Sequence, residues 1–235
     1  MPKTHQIQQT ERHIRTQLTW SSPQKAANSL LDLIAEDTVG LDILDFCLYL
    51  CNKSVGSAQA LERILDESGS AWTVGIDLDG RYCLERRVDV TTEKAARAEI
   101  AQPGNAAAYL RDAWHYTYGR NPNSSHAFNN AVRAVEAAAR PVVTPMDKAA
   151  TLGKMVSALR DKPGKWETLI GDVETVRKMM EAIWTSQFDR HGTDDTTKPR
   201  NVSTAEAEAA VQFAVTIVQI FRNEAISRLS TGSEG

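Results

Sequence analysis

The feature that most constrains this fold is an apolar segment near the end of the chain. Three residues in the range 209–221 are polar, namely Gln212, Thr216 and Gln219. A helix that is apolar over most of its circumference has to be covered on most sides. The pattern predicts a helix over 203–230, with Ser203 and Glu206 as a capping-box pair at its start. This helix is therefore either the centre of a C-terminal helical bundle or part of a subunit interface.

From Thr91 onward the sequence predicts helices alone. One helix is expected to end at Pro141, and its apolar stripe consists of Phe128, Val132, Val135 and Ala139. The next is expected to start at Thr144 and Pro145, with a stripe of Ala149, Leu152, Met155, Val156 and Leu159. The stretch KPGKW then breaks the pattern. A further helix opens at Asp172, and its stripe consists of Val173, Val176, Met180, Ile183 and Trp184.

The N-terminal part combines helices with one β-hairpin. A helix start is predicted at Ser21, followed by a stripe of Leu30, Leu31 and Ile34. The next helix places on one face Leu41, Leu44, Leu48 and Cys51. Asp79 and Gly80 stand between two alternating runs at about 72–88 and predict a two-residue hairpin turn. The faces expected to rest on the helices carry Trp72, Val74 and Ile76 in one strand and Tyr82, Leu84 and Arg86 in the other.

A winged helix is an alternative interpretation of these helices and their hairpin, and it would bind DNA. This part of the chain carries more acidic than basic residues, which disfavours that interpretation. We therefore predict a mainly α-helical protein of two domains. An N-terminal helical unit with a β-hairpin spans 1–90, and a helical bundle spans 91–235.

Composition narrows the function further. The 235 residues include 27 basic and 30 acidic side chains, for a net charge of −3. A strongly basic nucleic-acid-binding domain is excluded, whereas a local basic patch is not. Three cysteines without framework spacing argue against a disulfide-stapled secreted domain. Because there is neither a signal-peptide pattern nor a membrane-length apolar run, we expect a cytoplasmic protein. The sequence has no glycine-rich phosphate loop, and the consecutive carboxylates Asp194 and Asp195 are more often solvated than metal-binding, so we expect no metal or small-molecule cofactor.

The stretch WTSQFDRHG ends in Arg190, His191 and Gly192 and allows two interpretations. An exposed histidine at a helix end can act as an acid or a base, and an adjacent arginine can hold phosphate oxygens. The alternative is an ordinary helix end, because glycine suits the position after a helix and cations suit its last turn. Earlier in the chain, YGRNPNSSHAFNN forms a capped junction between helices or contributes to a pocket beside His191. The pocket would be lined by Arg120, Asn129, Asn130 and Glu136.

Four segments carry a resemblance to a known family: AWHYTYGRNPNSSHAFNNAVRAVEAAARPVV, TLGKMVSALR, WTSQFDRHG and AEAAVQFAVTIVQIF. Their order over about 107–221 resembles the bacterial abortive-infection C-terminal (Abi-C-like) pattern, which is similar to the HEPN helical bundles of phage defence. The resemblance implies a dimeric bundle acting on RNA, and in catalytic members metal-independent RNA cleavage by an arginine and a histidine. His191 matches the histidine. At the spacing where the arginine is expected, this chain has Trp184, Thr185 and Ser186.

Two functional hypotheses follow. In the first, the protein serves phage defence or a stress response through RNA binding or cleavage. His191 is then the acid or base, Arg190 or Arg120 binds the phosphate, Asn129 and Asn130 orient the substrate, and Glu136, Lys198 and Arg200 complete the substrate site. In the second, the bundle is a catalytically silent dimerisation or sensing module that binds a protein partner. Both hypotheses include a homodimer through the C-terminal helices and no membrane.

Overall fold

The computed structural model describes residues 22, 25, 37–51, 55–169, 171–191 and 202–229, with positions 37–39, 51 and 186–191 described as backbone alone. The predicted helix start at Ser21 and its stripe of Leu30, Leu31 and Ile34 lie outside these residues. The described chain is mainly helical and divides into two compact units. The N-terminal unit ends at Arg87 and also includes Tyr118–Arg120. The C-terminal unit comprises 88–117 and the residues from Asn121 onward.

The N-terminal unit consists of two helices and a hairpin: α1 (Asp37–Cys51), α2 (Val55–Glu67), β1 (Trp72–Ile76) and β2 (Tyr82–Arg86). The strands are antiparallel, with Ile76 opposite Tyr82. Its core is formed by Leu48, Leu65 and Leu84, against which pack Leu41, Leu44, Leu61, Trp72, Val74 and Tyr82. The predicted packing of the hairpin face on these helices is confirmed for four of its six residues.

The predicted two-residue turn is wrong, because the strands are joined by a longer loop. Asp77 and Arg81 still pair, with the Asp77 amide donating to the Arg81 carbonyl at 2.8 Å. The Asp77 carboxylate accepts from the amides of Asp79 and Arg81 at 2.9 and 2.8 Å. Gly80 alone of the loop takes a left-handed backbone, with φ of 73°. The side chain of Asp77 therefore closes a loop centred on Leu78–Gly80.

The C-terminal unit contains six helices and two short strands in the described chain. They are α3 (Val90–Ile100), α4 (Asn105–Tyr118, whose last residue belongs to the N-terminal unit), α5 (Ser124–Val143), α6 (Leu152–Asp161), β3 (Trp166–Thr168), α7 (Val173–His191), α8 (Thr204–Arg222) and β4 (Ile226–Arg228). A 3-10 turn at Pro163–Lys165 joins α6 to β3.

Helix α8 is the central helix of this unit. It packs most extensively against α5 and also contacts α3 and α7. Its buried residues are Ala207, Ala210, Val211, Ala214, Val215, Ile217, Val218 and Phe221. The predicted capping box is confirmed: the Glu206 amide donates to Ser203 Oγ at 3.2 Å, and the Ser203 amide donates to Glu206 Oε2 at 2.9 Å. The apolar stripe of α5 is also buried as predicted.

Two helix boundaries differ from the prediction. Helix α5 continues past Pro141 to Val143. The proline lacks the N–H that would donate to the carbonyl four residues earlier, and the helix ends two residues after it. Helix α6 starts at Leu152 rather than near Pro145. Turns occupy the intervening residues, and there Asp147 Oδ1 accepts from the Ala149 amide at 3.0 Å. Ala149 is consequently exposed.

The prediction of helices alone after Thr91 is also wrong. Helix α8 ends at Arg222, and Glu224 takes a positive φ of 52° that redirects the chain. Strand β4 then pairs antiparallel with β3, placing Arg228 opposite Trp166 and Ile226 opposite Thr168. This pairing ties the end of the described chain to the segment that follows α6.

Helices α6 and α7 approach each other closely at Gly153. A Cβ atom there would lie 2.8 Å from Cε2 of the Trp184 ring, so no larger residue fits without displacement. On the inner face of α6, Met155, Val156 and Leu159 are buried. The lack of a side chain at Gly153 therefore allows α6 to lie close against α7. The last turn of α6 leads into the 3-10 turn. Throughout the described residues, no helix has the length and apolar character needed to cross a membrane.

Candidate functional site

Arg190 and His191 are the last two residues of α7. The backbone therefore puts them at a helix end, where the sequence predicted them. Their side chains lie outside the described part of the structure. Two further residues of the predicted site, Lys198 and Arg200, also lie outside it, as does Gly192.

Arg120 belongs to the N-terminal unit, and its charge is engaged there. Its Nη2 lies 2.9 Å from Asp42 Oδ1. Its guanidinium carbon lies 5.4 Å from the centre of the Trp72 ring. The side chain is 21% exposed. An arginine with a carboxylate and an aromatic ring around it already has the contacts that would otherwise bind a phosphate.

The predicted substrate-binding residues of α5 belong to the C-terminal unit. Asn129 is exposed. Asn130 donates through Nδ2 to the His126 carbonyl of its own helix at 3.0 Å. Glu136 accepts the Leu152 amide at 2.7 Å and so caps α6, whose N-cap Thr151 makes no side-chain cap bond. Asn130 and Glu136 thus have structural partners, and the structure does not gather the predicted set into one pocket among the described residues.

Several cations of the C-terminal unit are neutralised by carboxylates. Arg177 Nη2 is 2.6 Å from Glu174, and its Nη1 is 2.8 Å from Glu181. The hydrogen bond to Glu174 is the main reason that the pKa of Arg177 is raised. The same bond lowers the pKa of Glu174. Arg222 forms two hydrogen bonds to the buried carboxylate of Glu99, at 2.6 and 2.5 Å. These arginines stabilise the bundle.

A different arrangement surrounds a hollow of about 320 Å³ between the ends of α5 and α6 and the β3–β4 pair. We call it the basic pocket, and it is lined by Val143, Ala158, Asp161, Lys162, Lys165, Trp166 and Arg228. Among the described residues, no carboxylate lies within 4.0 Å of its three cations. Asp161 already pairs with Arg160, whose Nε is 3.2 Å from Oδ1. The pocket therefore presents an excess of positive charge.

The local backbone explains how these cations converge. Lys162 leaves the helical conformation at the end of α6, and the following turn is closed by the Lys165 amide donating to the Lys162 carbonyl at 3.1 Å. Strand pairing then brings Arg228 beside Trp166, with the guanidinium carbon 5.2 Å from the ring centre. Arg228 Nη2 also donates to the Val143 carbonyl at 3.4 Å. Both contacts restrict the arginine before any ligand arrives.

The chemistry of the basic pocket is that of anion binding. An arginine fork and two lysine ammonium groups are the usual partners of phosphate oxygens. Trp166 is 8% exposed, and its indole N–H is buried without an acceptor among the described residues. The lining contains neither histidine, cysteine nor serine. The groups that line the pocket are therefore suited to hold an anionic ligand.

Sequence reasoning missed the basic pocket. The stretch KPGKW was interpreted only as an interruption between helices, although two lysines around Pro-Gly ahead of a tryptophan are a local signal. Arg228 gave no such signal, because it was assigned to the predicted final helix. Its proximity to Trp166 depends on a strand pairing between distant segments.

A second hollow, of about 190 Å³, lies between α7 and α8. It is lined by Phe128, Ala182, Ile183, Glu206, Ala209, Ala210 and Phe213. Phe213 is 43% exposed at its edge. The apolar lining makes this surface suited to a protein contact rather than to a charged ligand.

The comparisons with known proteins do not add a relative. No protein family, no characterised protein and no solved structure matches this chain. The resemblance to Abi-C-like and HEPN bundles therefore stays a prediction from the residues quoted above.

Proposed function

We propose that this protein binds RNA through the basic pocket of its C-terminal unit, and that binding serves the phage-defence or stress response implied by its resemblance to Abi-C-like proteins. The observation that carries the proposal is the convergence of Lys162, Lys165 and Arg228 on one hollow without carboxylate partners in the described chain. A protein of net charge −3 needs such a local excess of positive charge to attract a polyanion.

Binding is the proposed activity, rather than cleavage. Cleavage in the predicted form needs a phosphate-binding arginine with His191. Trp184, Thr185 and Ser186 occupy the positions where catalytic relatives are expected to carry it. Of the two arginines proposed for the phosphate, Arg120 is paired with Asp42, and the side chain of Arg190 lies outside the described part of the structure. Cleavage is accordingly tested as a separate outcome.

The test measures the affinity of a labelled single-stranded RNA at low and moderate salt. Lys162→Glu/Lys165→Glu is expected to weaken binding at least tenfold and to reduce its salt dependence, because each lost phosphate contact releases fewer counterions. The matched control is Lys94→Glu/Lys148→Glu, which reverses two exposed charges outside the pocket lining. Equal affinities of the wild type and the pocket variant would refute the proposal. Gel analysis of RNA incubated with wild type and His191→Ala reports any cleavage.

As a second candidate we propose a homodimer through α7 and α8, the interaction-module alternative. A twofold interface needs a surface complementary to itself. The hollow and the partly exposed Phe213 that lines it supply an apolar patch on this surface. Phe213→Asp is expected to halve the solution mass, whereas Met146→Asp, at an exposed residue in the turn before α6, should leave it unchanged. A wild-type protein of monomer mass overturns this candidate.

A further inference from the structure

We propose that the ligand of the basic pocket is a terminal phosphate monoester of an RNA strand, rather than the phosphodiester backbone along it. This inference rests on the proposed RNA-binding function and specifies its ligand. The pocket would recognise the end of a strand, and so distinguish processed or cleaved RNA from RNA with hydroxyl ends.

The distribution of charge on the C-terminal unit favours a compact ligand. A groove that tracks a nucleic-acid backbone needs cations spread along the path of the strand. In the described C-terminal unit, Lys154, Arg160, Arg177 and Arg222 each have a carboxylate partner within 4.0 Å. Three of the cations without one, Lys162, Lys165 and Arg228, line the same hollow. A point of positive charge suits one compact anion better than a line of phosphates.

The charge and the hydrogen-bonding groups of the pocket match a monoester better than a diester. A phosphate monoester carries about −1.5 to −2 charges near pH 7 and three acceptor oxygens. A backbone diester carries a single negative charge and two free oxygens. The three cations of the pocket lack a carboxylate partner among the described residues, since Asp161 is held by Arg160. The monoester therefore gains more from this arrangement than the diester does.

The lining beneath the cations also suits the end of a strand. Val143, Ala158 and Trp166 contribute apolar surface to a hollow of about 320 Å³. That volume is within the range of small-ligand sites and accommodates a terminal nucleotide along with its phosphate. Arg228 is held by Trp166 and by the Val143 carbonyl, so its fork loses little freedom when it binds phosphate oxygens. A preorganised arginine favours one fixed ligand geometry.

The experiment uses the full chain and one short RNA sequence in three forms: with a 5′-phosphate, with a 3′-phosphate, and with hydroxyls at both ends. At least one phosphorylated form is expected to bind tenfold or more tightly than the hydroxyl form, and the comparison of the two identifies the end. Lys162→Gln/Lys165→Gln should abolish this preference. Lys94→Gln/Lys148→Gln should keep it. Because all four lysines are exposed, the variants should fold, and circular dichroism verifies this.

The outcomes separate this inference from the function on which it rests. Tight and equal binding of all three RNAs overturns the terminal-phosphate inference and leaves the RNA-binding function standing. Failure of every RNA to bind overturns both. A nucleoside monophosphate in competition distinguishes an RNA end from a free nucleotide. If the nucleotide binds and no RNA does, the pocket serves a small molecule and the RNA proposal is wrong.

Discussion

The arginines of the N-terminal unit and the cations of the basic pocket carry the same charge in opposite surroundings. Arg87 lies 2.9 Å from Asp66 and 3.3 Å from Glu62, and it also donates to the carbonyls of Ser70 and Trp72. The pocket cations lie on the surface of the C-terminal unit without a carboxylate within 4.0 Å in the described chain.

The difference shows that the acceptors around a cation, rather than its position in a motif, decide what it does. Arg87 satisfies backbone and carboxylate groups at the base of the hairpin, so its loss should affect folding. Among the described residues, the side chains of Lys162 and Lys165 make no ion pair or hydrogen bond, so their loss should affect a ligand. Arg120, which the sequence assigned to a catalytic site, belongs with the structural arginines. Substitutions test the distinction between cations that stabilise the fold and cations that are available to a ligand.

The largest effect is expected from Glu62→Ala. Glu62 accepts the Val74 amide at 2.6 Å and the Thr73 hydroxyl at 2.9 Å, and it also pairs with Arg87. Removing the carboxylate leaves these groups without their acceptor, and the free energy of unfolding should fall by about 3 kcal/mol. Chemical denaturation measures the change. The control is Glu67→Ala, at a 72% exposed carboxylate 3.9 Å from Arg63, and it should cost less than about 0.5 kcal/mol. Similar losses for both variants would contradict the structural role of Glu62.

A smaller effect is expected from Arg120→Gln. The variant loses the contact with Asp42 and the packing on Trp72, and stability should fall by about 1 kcal/mol. RNA affinity, measured on the folded variant, should not change. A tenfold loss of affinity in a variant that remains folded would return Arg120 to the functional site.

The elements predicted correctly from the sequence are those whose pattern is local and periodic. The alternation that includes Val74 and Leu84 predicted the buried face of the hairpin. The almost unbroken apolar run of α8 predicted that this helix is covered on most sides. The capping box could be predicted because Ser203 and Glu206 are three residues apart. In these cases the partner residues are neighbours in sequence, or the pattern itself requires a partner surface.

What the sequence did not reveal depends on distant partners. Strands β3 and β4 have three residues each, which is too short for an alternating pattern, and their register exists only through pairing. Glu136 was assigned to a pocket because a polar side chain on an apolar helix face needs a partner. Its partner in the structure is the Leu152 amide, which lies beyond a turn that was predicted as helix. The basic pocket depends on the pairing of two short strands and on residues from distant segments, so sequence motifs did not predict it.

The pH dependence of Arg177→Gln tests whether pairing also governs a cation of the C-terminal unit. The bond to Arg177 lowers the pKa of Glu174 in the folded protein. The pair therefore stabilises the fold above the ordinary glutamate pKa of about 4.3, and this contribution disappears as the pH falls through the lowered value. Wild type and variant should differ in Tm at neutral pH and converge in acid. Lys178→Gln is the control, since its Nζ lies 3.9 Å from the same carboxylate and is well exposed. A Tm difference that is independent of pH contradicts the prediction.

The smallest effect on stability is expected in the basic pocket itself. Lys162→Ala and Lys165→Ala should change the free energy of unfolding by less than about 0.5 kcal/mol, because exposed side chains without partners contribute little. Each substitution also reduces the repulsion among the three cations, and this gain offsets a small loss of packing. Thermal unfolding measures this, in the same preparations used for RNA binding. A large destabilisation would place these lysines with Arg87 rather than with a ligand.

The pairing of β3 with β4 also fixes when the basic pocket can exist during synthesis. Lys162 and Lys165 are translated roughly sixty residues before Arg228, an interval of seconds at about 5–20 residues per second. A nascent chain, or one truncated before Ile226, has the two lysines but neither the arginine nor the strand that positions it beside Trp166. The pocket is therefore complete only after β4 has been made. A product truncated before Ile226 lacks the arginine of the pocket even when α5, α6 and α7 are present.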